Sequence, residues 1–251
     1  MNAKSKIEGL EELYPRPLSG APVTSLPSAM IPARTELAGE VVTLEPQDAE
    51  RHARALYAVS HGSDEALRIW DYLPVGPWAS EAEFVGVIRG HTASFDPIFY
   101  TIRDNASGRY VGQVSFLDIR AQNGVIEIGY IWFAPELQRT RGATEALYLT
   151  LCYAMDDLGY RRMQWRCNSL NAKSRNAARR LGFRFEGIFY NHLIFKGKNR
   201  DTAWYSILDD EWPEVKQIIG SWLDASNFEA DGKARTSLAE AMQHRSPSTR
   251  G

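Results

Sequence analysis

Cysteine is scarce: Cys152 and Cys167 are the only two in 251 residues. They cannot build a disulfide framework, and no Cys-x-x-Cys or Cys/His cluster offers the spacing of a zinc site. A basic excess is missing as well. Lys+Arg 29 against Asp+Glu 31 leaves a formal net charge of -2, so binding to a phosphate backbone has no electrostatic footing. The longest mostly apolar stretch, Leu147 to Met155, is far shorter than the roughly 20 residues a membrane helix needs. The opening MNAKSKIEGLEEL carries acids where a signal peptide needs an apolar core. These absences lead to the expectation of a cytoplasmic protein that engages neither nucleic acid nor membrane. No G-x-G-x-x-G, Walker A loop, H-E-x-x-H or G-x-S-x-G occurs, which removes the anchors of dinucleotide, P-loop, zincin and α/β-hydrolase chemistry. His52, His61, His91, His192 and His244 are scattered without ligand spacing, so no metal is expected.

What is present fits a large globular domain with appendages: 44% hydrophobic, 24% charged and 11% aromatic residues. Residues 1–35 hold five prolines, at 15, 17, 22, 27 and 32, and read as an arm that packs weakly or wraps a partner. Residues 226–251 read as a polar tail, leaving a domain over 36–225. Inside it, 41–46 reads as a strand, 47–59 as an amphipathic helix, and the segment from Ser80 as a helix with Glu83 three residues after its cap. Strands at 98–103, 109–119 and 125–133, joined by DNASG and Gln122-Asn123-Gly124, predict an antiparallel meander. Helix period returns from Thr140 to Leu158, and a strand follows at 163–167. A helix then runs from Asn171 to Gly182, followed by strands at 183–195 and 202–208. A last helix spans 209–224, with Trp212, Val215, Ile219 and Trp222 on one face. The implied fold is α/β with a mixed sheet.

Two segments carry chemistry. In Glu127-Ile-Gly-Tyr-Ile-Trp-Phe-Ala-Pro-Glu-Leu-Gln-Arg-Thr-Arg-Gly-Ala-Thr-Glu-Ala146, a strand passes through a turn into a helix that opens on small and basic residues. Free amides and the positive end of the helix dipole make such a terminus receptive to a pyrophosphate, with Arg139 and Arg141 adding charge and Gly142 and Ala143 leaving room. Equally, Gly142 simply eases a turn and the arginines form a solvated face. In the second segment Asn171 caps a helix and Ser174 sits three residues on, where both polar groups share one helical end.

The blocks EIGYIWFAPELQ (127–138), QRTRGATEALYLTLCYAMDDLGYRR (138–162) and NSLNAKSRNAARRLGFRFEG (168–187) together resemble the GNAT family of acetyl-CoA-dependent N-acetyltransferases. The likeness is strongest to its branch of ribosomal-protein N-terminal acetylases, the RimJ/RimL type, and spans about residues 38–225. The phosphate loop departs from the family's Gln/Arg-x-x-Gly-x-Gly/Ala. One register gives Gln138-x-x-Arg141-x-Ala143, the other Arg139-x-x-Gly142-x-Thr144.

The resemblance implies a mostly antiparallel sheet with splayed central strands, flanked by helices. Acetyl-CoA would enter the splay as acyl donor, held by Ile131, Trp132, Phe133, Gln138, Arg139, Arg141, Gly142, Ala143, Thr144, Asn171 and Ser174. A backbone amide near Ile131 or Trp132 would polarise the thioester. Glu127, a carboxylate in an otherwise apolar strand, is the expected base, directly or through water, and Ser174 the expected acid toward the leaving thiolate, with Tyr190 as the alternative. Both cysteines read as core residues, so direct transfer is expected. The acceptor is a primary amine, a small molecule or a peptide N-terminus, received by Trp70, Asp71, Tyr72, Trp78 and His192. An aromatic box with Asp71 for a cation is one reading of that group, and two tryptophans covering a core is the other. A non-catalytic acyl-CoA-binding regulator on the same fold is the alternative function, and a homodimer is among the assemblies expected.

Overall fold

The computed structural model describes residues 20–27 and 30–245, so parts of the expected arm and tail lie outside the described residues. Eight strands form one sheet in the order β1-β2-β3-β4-β5-β6-β8-β7. They are β1 (Leu37–Ala38), β2 (Val42–Pro46), β3 (Ile98–Asp104), β4 (Tyr110–Arg120), β5 (Val125–Phe133), β6 (Arg162–Asn168), β7 (Arg184–Phe195) and β8 (Lys198–Leu208). All neighbours pair antiparallel except β5 and β6. This is the mixed, mostly antiparallel sheet that the sequence predicts.

The meander turns where glycine permits a left-handed backbone, with Gly124 at φ 64° between β4 and β5. The hairpin from β7 to β8 uses Lys196 and Gly197, at φ 48° and 73°. Positive φ at both turn residues matches the twist of the flanking strands and extends β8 well before residue 202, where alternation alone places its start.

Two helix layers sandwich different halves of the sheet. Helices α1 (Ala49–His61) and α2 (Glu81–Ala93) bury Ala53, Leu56, Phe84 and Ile88 with Trp70 and Trp132. On the other face lie α3 (Arg141–Cys152), continued by a widened turn over Tyr153–Asp157, then α4 (Ala172–Arg180) and α5 (Trp212–Leu223). Leu147, Leu151, Ala178, Val215 and Ile219 pack there against Ile126, Ile128, Met163, Trp165 and Tyr205. Because strand side chains alternate, the intervening residues Glu127, Gln164, Arg166 and Trp204 fall on the opposite face.

Both appendages engage the body. Met30 is core, and the backbone from 30 to 33 is clamped by three phenols. Tyr160 donates to the Met30 carbonyl, Tyr153 accepts from Ala33 N at 2.9 Å, and Tyr100 donates to the Ala33 carbonyl at 2.9 Å. Downstream, α6 (Leu238–Gln243) buries Leu238 and Met242, and Arg245 bonds the Gly182 carbonyl at 2.7 Å. A six-residue helix with two apolar anchors has too few turns to register as a periodicity in a polar stretch.

Candidate active site

Strands β5 and β6 pair over only three positions, Val125↔Arg162, Ile126↔Met163 and Glu127↔Gln164. Beyond them β6 stays with β8 as far as Asn168 and β5 stays with β4 as far as Phe133. The strands part, and the β6-facing edge of β5 after Glu127 has no strand partner among the described residues. A bulge bends β5 at this point. The ladder jumps from Ser115↔Gly129 to Gln113↔Trp132, and Tyr130 takes φ 47°. Side chains of β4 hold the displaced carbonyls: Ser115 Oγ donates to Gly129 O at 3.0 Å and Gln113 Nε2 to Tyr130 O at 3.1 Å. Gln113 accepts in turn from Gln47 Nε2 at 3.0 Å, and Gln47 Oε1 lies 2.9 Å from His91 Nδ1. A buried polar chain thus runs from α2 to the bulge.

Glu127 stands where the strands begin to part and is 3% exposed. Arg166 Nε on β6 lies 2.5 Å from its Oε2, yet no donor is aligned on that oxygen for a hydrogen bond. Burial pushes the Glu127 carboxyl up to about 7, against the opposing pull of Arg166. A carboxylate with this value divides its time between base and acid near neutrality, which suits proton removal from an amine.

The turn after β5 leads into α3, whose cap is Thr140. Its hydroxyl accepts from Ala143 N at 3.2 Å. Arg139, at φ 65° and exposed, reverses the chain before the cap. Among the described residues nothing accepts from the amides of Arg139, Arg141 or Gly142, so this helix end has the free donors and positive dipole that an anion needs. The side chains divide differently from the sequence expectation. Arg141 is turned inward: it bonds the Leu223 carbonyl at 2.8 Å, pairs with Glu40 and lies 5.3 Å from the Phe228 ring centroid. Gly142 is small because Val42 and Leu137 pack on it, a Cβ there lying 3.0 and 3.1 Å from their methyls. Gln138 bonds the Phe133 carbonyl at 3.0 Å, and Thr144 is buried beneath Arg180 at 3.1 Å.

Asn171 caps α4 by accepting from Ser174 N at 3.1 Å. The Ser174 hydroxyl accepts from Trp165 Nε1 at 3.0 Å, and its own proton is within hydrogen-bond reach of the Cys167 sulfur, so it already faces a thiol as donor. Ser174 therefore lies on the α3/α4 side of the sheet and Glu127 on the other, with the parting of β5 and β6 between them. Burial raises both thiols, Cys152 to about 11, so neither cysteine is a ready nucleophile. Tyr190 is 75% exposed on β7, with no side-chain hydrogen bond among the described residues.

A family model described as Acetyltransferase (GNAT) domain matches residues 42–184. The chain belongs to the GNAT acetyltransferase family. A GNAT structure from Brucella melitensis is 42% identical and superposes with a TM-score of 0.84 over 88% of this chain and 99% of its own. Another, from Chromobacterium violaceum ATCC 12472, is 39% identical with a TM-score of 0.73 over 80% and 99%. Among curated proteins, YdaF of Bacillus subtilis (strain 168), whose name assigns it provisionally to ribosomal N-acetylation, is 28% identical over 69% of this chain and 92% of that protein. As a GNAT protein the chain is an N-acetyltransferase, of a family that uses acetyl-CoA generally. Among the described residues no group of three or more His, Cys, Asp or Glu is placed to hold a metal ion, and no helix is long and apolar enough to cross a membrane.

At the far side of this GNAT wedge the expected substrate residues separate. Trp70 is 2% exposed, packed at 4.9 Å from Trp78 and 5.6 Å from Trp132, with its indole N–H on the Ser60 carbonyl. It is a core residue rather than the wall of an aromatic box. Asp71 is exposed and its field reaches Lys196, whose ammonium bonds the Trp70 carbonyl at 2.7 Å, so the loop is tied to the β7–β8 hairpin. Tyr72 reaches the Leu170 carbonyl at 3.4 Å. His192 does approach the site: its Nδ1 is 3.0 Å from Thr202 Oγ1 and its ring 6.0 Å from Trp204, the indole on which Arg166 stacks at 5.0 Å.

Sequence reading missed Gln113, Arg166, Arg200 and Trp204. Arg166 and Gln164 alternate with core residues in MQWRC, and Arg200, Thr202 and Trp204 alternate in RDTAW. That period marks a polar sheet face, but nothing in it says that the face adjoins a gap between strands.

Proposed function

We propose that the protein transfers acetyl directly from acetyl-CoA to a primary amine within a ternary complex. The acceptor is a small molecule or a protein N-terminus, and YdaF's name favours the latter. The observation that carries the reading is the buried Glu127 at the parting of β5 and β6, with its carboxyl raised to about 7. The residues fit the donor: the free amides at the start of α3 suit its pyrophosphate, Arg139 adds charge, and the unpaired β5 edge suits the amides of its pantetheine arm. Ordered as the bulge places it, an amide near Ile131 or Trp132 receives the charge that grows on the thioester oxygen.

Glu127 takes the amine proton, directly or through one water. The amine nitrogen then bonds the acetyl carbon, the C–S bond breaks, and the thiolate takes a proton from Ser174, whose oxygen is held by Trp165 and which is reprotonated, through water, by the proton the bonded nitrogen sheds. Tyr190 is the less supported donor, being exposed on the strand at the sheet edge.

Calorimetry with acetyl-CoA and release of CoA thiol against a panel of amines and N-terminal peptides test the reading. Binding with amine-dependent release supports it. Binding without release from any amine favours the acyl-CoA-binding regulator.

A further inference from the structure

The wedge apex gathers more positive charge than it neutralises. Glu127 is paired with Arg166, and Asp118 with Arg120 at 3.0 Å. Arg120 also bonds Gln164, the ladder neighbour of Glu127, at 2.9 Å. A third guanidinium, Arg200 on β8, alternates with Thr202 and Trp204 on the face that carries Arg166, and Cys167, Arg166, Glu127 and Tyr130 all act on it electrostatically. Its Nε is buried without a hydrogen-bond partner, and it has no acidic partner among the described residues. Its guanidinium lies over the face of Phe195, 4.3 Å from the ring centroid. Arg166 lies similarly over the Trp204 ring, 5.0 Å from its centroid, with Nε on Glu127. Half-buried guanidinium groups are costly without a counter-charge, and two stacked arginines present the forked donors that carboxylates match.

The reaction sharpens this imbalance. When Glu127 accepts the amine proton its charge is lost, and Arg166 is without its partner while the bond to nitrogen forms. An anionic group on the acceptor would offset both guanidiniums most strongly in that state, which makes it a contribution to rate as well as to binding.

Resting on the acetyl-transfer reading above, we infer that the acceptor carries a carboxylate near its reacting amine, received by Arg200 together with Arg166. The carboxylate comes either from a free amino acid or from an acidic side chain next to a peptide N-terminus. Cationic acceptors are disfavoured. An aromatic box for them would lack its Trp70 wall, which is buried in the core, and the charge of Asp71 is opposed by the nearby Lys196.

Matched acceptors decide the matter. One arm compares glycine with glycinamide, and the other Ser-Glu-Glu-Ala-Ala-amide with its Ser-Gln-Gln and Ser-Lys-Lys counterparts. In one arm the wild-type protein should prefer the carboxylate by about tenfold or more in kcat/KM, as charge-assisted pairing allows, and raised salt should shrink the preference. The arm that shows it names the source. Arg200→Gln should collapse the ratio to within about threefold, and Arg200→Lys should restore part of it. Equal or better use of the neutral members in both arms, or an undiminished ratio in folded Arg200→Gln, overturns the inference. The same pairs titrated into CoA-loaded protein by calorimetry give a second reading, and equal affinities there also overturn it. Acetyl-CoA binding with no thiol release from any amine would instead refute acetyl transfer, while the calorimetric pairs still judge the charge preference.

Discussion

Arg166 Nε, two residues beyond the last β5–β6 rung, sits 2.5 Å from Oε2 of Glu127, the residue on that rung. The pair sets the ionisation of the site: burial holds the carboxyl protonated up to about pH 7, and the guanidinium keeps it from rising further. Removing the carboxylate by Glu127→Gln should lower kcat/KM about 100-fold, the lower end of what a positioned base contributes. Acetyl-CoA affinity, measured by calorimetry, should change little.

Arg166→Gln should move the site in the opposite sense. With the cation gone, burial acts unopposed, so the lower pH limb of kcat/KM should shift above 7. A limb that stays in place or moves down would show that Arg166 does not tune Glu127.

The two arginines of the phosphate loop should behave differently. Arg139→Ala should weaken acetyl-CoA binding about fivefold, the most an exposed charge usually supplies. Arg141→Ala should instead lower thermal stability by about 1–3 kcal/mol, because it strips the Leu223 carbonyl of its donor and Glu40 of its partner. Melting curves and calorimetry on both variants separate the roles.

Gln113→Ala should reduce kcat about tenfold with little change in acetyl-CoA affinity, an electrostatic donor displaced by a fraction of an ångström costing at least that much. Its amide is what holds the Tyr130 carbonyl on the outside of the bulge. Gln113→Glu, which lacks the donor, should fail to rescue. A kcat equal to wild type would show that the bulge is self-supporting.

Much of this was legible from residue order. The meander, the cap at Asn171 and the helix start after Thr140 follow from turn glycines, cap chemistry and period, and the structure has each of them. The orientations were not legible. Arg141 and Arg139 are two residues apart in a loop, and only the position of the α5 end decides that one turns inward. Trp70 and Trp78 read equally as a box or as a core until helices α1 and α2 close over Trp70. Pairings such as Gln113 with Tyr130, or Arg200 with the wedge, join strands brought together only by the sheet.

The central claim is that Glu127 is the base, and the pH dependence of amine-dependent CoA-thiol release tests it most directly. A base must be ionised, so kcat/KM, corrected for the acceptor's own titration, should fall as pH drops through about 7 and level above it. Glu127→Gln should lose that limb along with most of its rate. A wild-type profile flat from pH 5 to 9 after correction, or a limb near 7 that persists in Glu127→Gln, would contradict the assignment.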